Sequence, residues 1–208
     1  GAIGDEAPFD QILGPNIIGV YNVWEAAHHH GVRRVVYASS IHAVGMHSRT
    51  DFIGTDAEHR PDSYYGLAKC FAEDLARMYW EKRGLEAVCM RLYSVTRPNG
   101  TRSLGAWLSY DDLIHLVDRA ISTPSTGFAV VYGVSNNDRV SLDNSKASFL
   151  GYRPKDNAEV YATDLLANSP PEAVDDIATQ RIGGAFAAID LGESGVAHMN
   201  ILDDSKTA

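Results

Sequence analysis

Tyr65 and Lys69 stand four residues apart, and the pair Ser39-Ser40 precedes Tyr65 by 25 positions. On a helix, positions i and i+4 share one face, so the phenol and the ammonium project together. A free phenol titrates at about pH 10 and is a poor base at neutral pH. A cation held within about 4–6 Å favours the phenolate and brings that value toward the working range. A serine hydroxyl at the carboxyl end of a neighbouring strand can hydrogen-bond the same substrate oxygen, and that edge is where doubly wound sheets bind ligands. The chemistry expected of the trio is removal of a proton from a substrate hydroxyl. By itself the Tyr-Lys spacing also describes an exposed helix face with Tyr65 as a core aromatic. A helix start just after an irregular loop, with serines at a strand end before it, favours the chemical reading.

Those residues need elements to hold them. Phe9, Ile12, Leu13, Ile17, Val20, Tyr21, Trp24 and Ala27 follow helical spacing and predict one helix over residues 9–30, stopped at Gly31. A buried-type strand is expected over 34–39, a second long helix over 63–83 ended by Gly84, and another strand over 85–93. Ser109 can cap a third helix with Asp112 in the reciprocal position, and 128–134 reads as a further strand. Strands alternating with helices imply parallel pairing with right-handed crossovers. The fold class expected is α/β, a doubly wound parallel sheet, with the chain past about residue 95 folded over one end of it. Residues 1–161 are expected to form this body and residues 162–208 an acidic C-terminal extension packing on it or trailing from it.

Charge supports that division. Residues 1–155 carry 17 acids against 16 bases, whereas 156–208 carry 10 against 2, so most of the net charge of −9 sits at the end. The extension reads as a solvated, solubilising segment. With no basic footprint, no nucleic-acid partner is expected. No stretch nears the roughly 18–20 apolar residues that span a bilayer, so no membrane partner is expected either. No secretory leader is read at the start. Cys70 and Cys89 read as buried thiols in a reducing compartment, which favours the cytoplasm. His28-His29-His30 point in different directions on a helix and are assigned no metal. Asn16 reads as a buried helix amide.

Several stretches together resemble a known family. They are Asn16-Ile-Ile-Gly-Val-Tyr-Asn, Ala38-Ser-Ser-Ile-His42, Arg60-Pro-Asp-Ser-Tyr-Tyr-Gly-Leu-Ala-Lys-Cys70, Ala106-Trp-Leu-Ser109, Val131-Tyr-Gly133, Phe149-Leu-Gly-Tyr152 and Gly183-Gly-Ala-Phe186. The chain resembles the extended short-chain dehydrogenase/reductases, also called the NAD-dependent epimerase/dehydratase family, and within it the NAD-dependent uronate (hexuronate) dehydrogenases. The resemblance implies a Rossmann-type fold with a small C-terminal lobe of helices and loops, and an enzyme using NAD. Tyr65 would be the base on the C1 hydroxyl of a sugar acid, and Lys69 would lower its pKa and hold the nicotinamide ribose. Ser40 would hydrogen-bond the reacting oxygen, His42 and Ser94 would contact other hydroxyls, and Arg102 would grip the carboxylate, with Arg97 nearby as a possible substitute. Gly1, Ala2, Ala38 and Leu92, with Tyr65 and Lys69, would lie along the cofactor. The product would be an aldarolactone. By the same resemblance, Asn16 reads equally as part of a proton relay.

The match departs from the pattern at Gly4, where a serine is expected, at Ile41, where an asparagine is expected, and over residues 93–101, which are one residue shorter. No glycine-rich strand-to-helix turn of the G-x-x-G-x-x-G kind occurs, so the natural protein is expected to be longer than these 208 residues. Taken literally, the chain should show an unpaired sheet edge and an apolar helix face. The resemblance also implies a homo-oligomer through the first two long helices, with Trp24, Tyr79 and Trp80 either at that contact or packed internally. Two other functions compete: a nucleotide-sugar epimerase or dehydratase of the same family, and a non-catalytic fragment. Dehydratases place an Asp-Glu pair where this chain has Ile41-His42, and epimerases need a larger C-terminal lobe.

Overall fold

The computed structural model describes residues 2–170 and 172–195. Three parallel strands make its sheet, β1 (Arg34–Ser40), β3 (Glu86–Leu92) and β4 (Phe128–Gly133), in the order β1-β3-β4. The register aligns Ser40 with Leu92 and Leu92 with Gly133, so the three carboxyl ends share one edge. Two short segments, β2 (Ile53–Gly54) and β5 (Leu142–Asp143), pair in parallel beyond that edge. The outer side of β1 has no strand partner among the described residues, as expected.

Side chains of β3 alternate between two layers because strand residues point to opposite faces in turn. Ala87 and Cys89 pack with Val20, Trp24, Leu75 and Tyr79 from helices α2 (Gly19–His29) and α3 (Tyr64–Arg83). Val88 and Met90 pack on the other face with Leu116 and Ala120 of α5 (Tyr110–Ser122), which follows the short α4 (Ser103–Ala106), and with Leu150 and Tyr152. Gly84 closes α3 in the left-handed conformation (φ 69°), donating its N–H to the Trp80 carbonyl.

Three expectations need correcting, and one open alternative is decided. The helix over 9–30 is not regular: α1 (Phe9–Ile12) passes into a π-helical turn, Leu13–Ile18, before α2. Pro15 lies inside that turn, and a proline without an N–H cannot keep the α pattern in a helix interior. Ser109 caps α5 by accepting the Asp112 N–H at 3.0 Å, but the Asp112 carboxylate does not reach back. It accepts the N–H groups of Lys155 and Asp156 instead and ties that loop to the helix. The C-terminal stretch is not solvated through residue 195. Ile182 and Phe186 are buried, and Ile182 and Gly183 donate backbone hydrogen bonds to His47 and Gly45. Trp24 and Tyr79 pack inside, leaving only Trp80 of that trio partly exposed.

One buried ion pair crosses the α3–sheet interface. Glu73 of α3 accepts from Ser39 Oγ at 2.6 Å, from Arg91 Nη2 at 2.7 Å and Nε at 3.0 Å, and meets His59 Nε2 at 2.9 Å. Arg91 also donates to the Tyr132 hydroxyl, which in turn donates to the Gly54 carbonyl. Burial alone would raise the Glu73 carboxyl, but the hydrogen bonds from His59, Arg91 and Ser39 outweigh it and hold the pKa at about 2, against 4.5 for the free group.

A depressed carboxyl pKa stabilises the fold fully above the unfolded value and loses that contribution as pH falls from about 4.5 through about 2. The contribution is on the order of 3 kcal/mol. Glu73→Gln keeps the shape but leaves the Arg91 guanidinium buried without a counter-charge, a loss of about 3–5 kcal/mol. Urea unfolding at pH 7 should show that loss, and at pH 3 the gap between variant and parent should narrow. A gap that does not change with pH would contradict this account.

Candidate active site

β1 ends at Ser40 in extended conformation, and the chain turns at once into a 3-10 turn, Ile41–Val44. Ser40 Oγ accepts the His42 N–H at 3.3 Å and so starts that turn. The first turn of α3 rests on it. A Cβ at position 66 would collide with the His42 carbonyl, so the closeness of helix to turn requires Gly66. Ser63 caps α3, accepting the Gly66 N–H at 2.9 Å and donating to Asp62 Oδ1 at 2.7 Å. The buried Glu6 carboxylate accepts the Tyr65 N–H at 2.8 Å and the Gly192 N–H at 2.9 Å. A carboxylate at a helix N-terminus is favoured by the dipole as well as by the hydrogen bond.

Tyr65, Lys69 and Glu73 therefore line one stripe of α3 against β1. Lys69 Nζ donates to the Ala38 carbonyl at 2.7 Å and lies 5.2 Å from the centre of the Tyr65 ring and 4.8 Å from that of Tyr37. The Ser40 hydroxyl stands close enough to the Tyr65 phenol to lower its pKa. Burial dominates, however, and with the Asp62 and Asp5 carboxylates it leaves the phenol above its ordinary value. The expected lowering by Lys69 is not seen. Burial pushes the Lys69 ammonium itself down to about 8, even with Glu73 one turn away pulling the other way.

A cavity of about 590 Å³ opens at this edge. Ser40, His42, Tyr65, Lys69, Ser94 and Arg102 all line it, as do Gly4, Ala38 and Leu92. His42 Nδ1 lies 2.8 Å from Asp62 Oδ2, and its ring stacks on Phe186 at 4.0 Å. Ser94 is exposed and shares a 2.7 Å hydrogen bond with Thr96. Arg102 lies over the Tyr93 ring and donates to the Ile182 carbonyl, with burial lowering its pKa. Gly184 (φ 64°) lets the C-terminal segment pass that guanidinium, because a Cβ there would strike it.

Three sequence expectations fall outside this assembly. Ala2 is exposed and does not line the cavity, and Gly1 lies outside the described residues. Arg97 turns away onto the Tyr161 ring and is no substitute for Arg102. Asn16 is engaged with Ile3, accepting its N–H at 2.7 Å and donating to its carbonyl at 2.9 Å, so its amide positions the segment that carries Gly4. Glu6, Asp62 and Phe186 were not singled out for the site by sequence. Asp62, adjoining a helix-capping serine, carried the only local signal.

The arrangement can take a proton from a hydroxyl, hold the resulting oxygen with Ser40, and meet an anion with Arg102. The profile of the NAD dependent epimerase/dehydratase family matches residues 6–127. The uronate dehydrogenase of Pseudomonas putida is 46% identical over 188 residues, covering 90% of this chain and 70% of its own length. Among solved structures, glucuronic acid dehydrogenase from Chromohalobacter salexigens superposes with a TM-score of 0.89 at 41% identity, covering 91% of this chain and 72% of that one. A variant of the Agrobacterium tumefaciens uronate dehydrogenase complexed with NAD gives 0.88 at 43% identity, with the same coverage.

The lowered ammonium is directly measurable. In the protein labelled with 13C at the lysine ε-carbons, one of the five lysine signals should titrate near pH 8 and vanish in Lys69→Met. If all five titrate at about 10, the ordinary lysine range, the burial argument fails.

Proposed function

The chain belongs to the NAD dependent epimerase/dehydratase family, and from that premise we propose that it oxidises the C1 hydroxyl of a hexuronic acid, of the galacturonate or glucuronate type, to an aldarolactone with NAD. One observation carries the reading: a tyrosine with its serine and lysine and a guanidinium line the same cavity. The cavity is of the size that small metabolites fill.

The residues at the inner edge fit the nicotinamide end of the cofactor. Among the described residues Lys69 makes one hydrogen bond, to Ala38, and an ammonium has three donors, which leaves donors for ribose hydroxyls. Gly4 and Ala38 keep that wall low, and Leu92 supplies an apolar surface. No glycine-rich turn for a pyrophosphate occurs in the 208 residues, so the fit concerns the nicotinamide end alone. When bound, NAD supplies the acceptor for the hydride from C1 and a positive ring charge.

Tyr65 takes the proton from the C1 hydroxyl, and Ser40 donates to the oxygen as the carbonyl forms. A phenol raised by burial needs added positive charge to act as a base; the Lys69 ammonium, 5.2 Å from the centre of its ring, does not by itself bring the phenol below its ordinary value. Arg102 meets the substrate carboxylate with its planar fork. His42 and Ser94 contact further hydroxyls. Ile41, buried among Val44, Ile53 and Tyr132, leaves no acid where a dehydratase would have one.

Three features lie beyond the site. No described helix is long and apolar enough to cross a membrane. The buried free thiols Cys70 and Cys89 suit a reducing compartment, which supports the cytoplasm. Leu13, Ile18, Tyr21, Leu67 and Met78 are exposed apolar residues on the first long helices, which supports a homo-oligomer.

With galacturonate and NAD, the full-length protein should raise absorbance in the reduced-nicotinamide band. Turnover of a UDP-sugar with no such rise would overturn the reading. Arg102→Met should raise KM for the uronate by on the order of tenfold to a hundredfold, with little change in NAD affinity. An unchanged KM would remove the arginine from the site.

A further inference from the structure

We propose that Asp62 is a positioning residue that fixes His42 as an acceptor for the substrate hydroxyl beside the reacting one, so that the site selects sugar acids with a free hydroxyl there. The proposal rests on the uronate reading above and names the feature of the sugar that the site demands.

The Asp62 side chain has no exposed surface. A carboxylate can only accept hydrogen bonds, and both oxygens are committed: Oδ1 receives the Ser63 hydroxyl and Oδ2 faces His42 Nδ1 at 2.8 Å. Nδ1 must therefore carry a proton, so that in the neutral imidazole Nε2 is the nitrogen left with a lone pair. The carboxylate cannot turn away. It lies in a slot between Gly45 and Gly183, from segments far apart in sequence, and a Cβ on either would collide with Oδ2. The Gly183 N–H closes the slot by donating to the Gly45 carbonyl at 2.8 Å.

The imidazole is held as firmly as its tautomer. Phe186 stacks on one face at 4.0 Å and 25°, and the Tyr65 ring meets it edge-on at 5.7 Å. Nε2 has no hydrogen-bond partner among the described residues, and the ring lines the cavity. Beside the proton acceptor Tyr65 there is thus a second, fixed acceptor. A hydroxyl next to the reacting carbon can donate to it, whereas an ether oxygen or a hydrogen in that place cannot. A site built to bond a hydroxyl rejects the analogue that lacks it, because its own polar group is left unpaired. Asp62 also holds Ser63, the cap of the helix that begins with Tyr64-Tyr65, so one carboxylate registers both groups that face the sugar.

The tautomer can be read without turnover. In long-range 1H–15N spectra the His42 proton should sit on Nδ1, and Asp62→Ala should give a mixture of both forms; a proton on Nε2 in the parent protein would overturn the proposal. Steady-state kinetics supply the second arm, comparing a uronate with its 2-deoxy analogue in the parent, Asp62→Ala and His42→Phe. The parent should favour the hydroxylated sugar by about tenfold or more in kcat/KM. Both variants should bring that ratio toward one, chiefly through KM, and His42→Phe keeps the ring stack should Asp62→Ala fail to fold. A ratio preserved in either folded variant would refute the role. If the parent oxidises neither sugar, the uronate reading fails on its own, and the spectra still decide how Asp62 holds His42.

Discussion

The site depends on a single buried carboxylate. Glu73 draws Ser39 from β1, Arg91 from β3 and His59 from the loop preceding α3 onto one helix, and what this helix presents to the cavity is measured from that junction. Ser39 is held on the Glu73 side, and the next residue, Ser40, begins the turn that meets Tyr65. One turn back along α3, Lys69 bonds the Ala38 carbonyl, so strand and helix are pinned at successive levels. Such a pair is costly to bury and stabilises little against an apolar replacement, but breaking one partner alone is severe. Its value here lies in fixing how far along β1 the helix stands.

Parts of this were legible in sequence because they depend on local spacing. The stripe of Tyr65 and Lys69 follows from helical periodicity, and the strands ending at Ser40, Leu92 and Gly133 follow from short apolar runs bounded by turns. Gly84 ended α3 where a C-terminal glycine was expected. The π-helical turn had a visible cause in Pro15, yet its form depends on how α1 and α2 both pack against α3.

Other parts had no local signal. Glu6 bridges Tyr65 and Gly192, the latter 186 positions away, and no pattern near either residue announces the bond. The C-terminal segment is acidic and reads as solvent-facing, but Ile182 and Phe186 bury themselves beside the cavity and Gly183-Gly184 let the backbone pass Asp62 and Arg102. The direction of the Tyr65 shift was likewise hidden, since burial is a property of the assembled site and here, with the Asp62 and Asp5 carboxylates, outweighs the hydrogen bond from Ser40. Spacing identified which groups could meet; three-dimensional packing decided how they are held and what their charges do.

The central claim is that the end of β1 and the start of α3 work as one device, and a double-mutant cycle between Ser40→Ala and Tyr65→Phe tests it most directly. If the hydroxyl acts on the oxygen that the phenol deprotonates, the double variant should lose no more kcat/KM than Tyr65→Phe alone, within about twofold. Losses that simply multiply would mean the two groups act independently, and the account built on their convergence would be wrong.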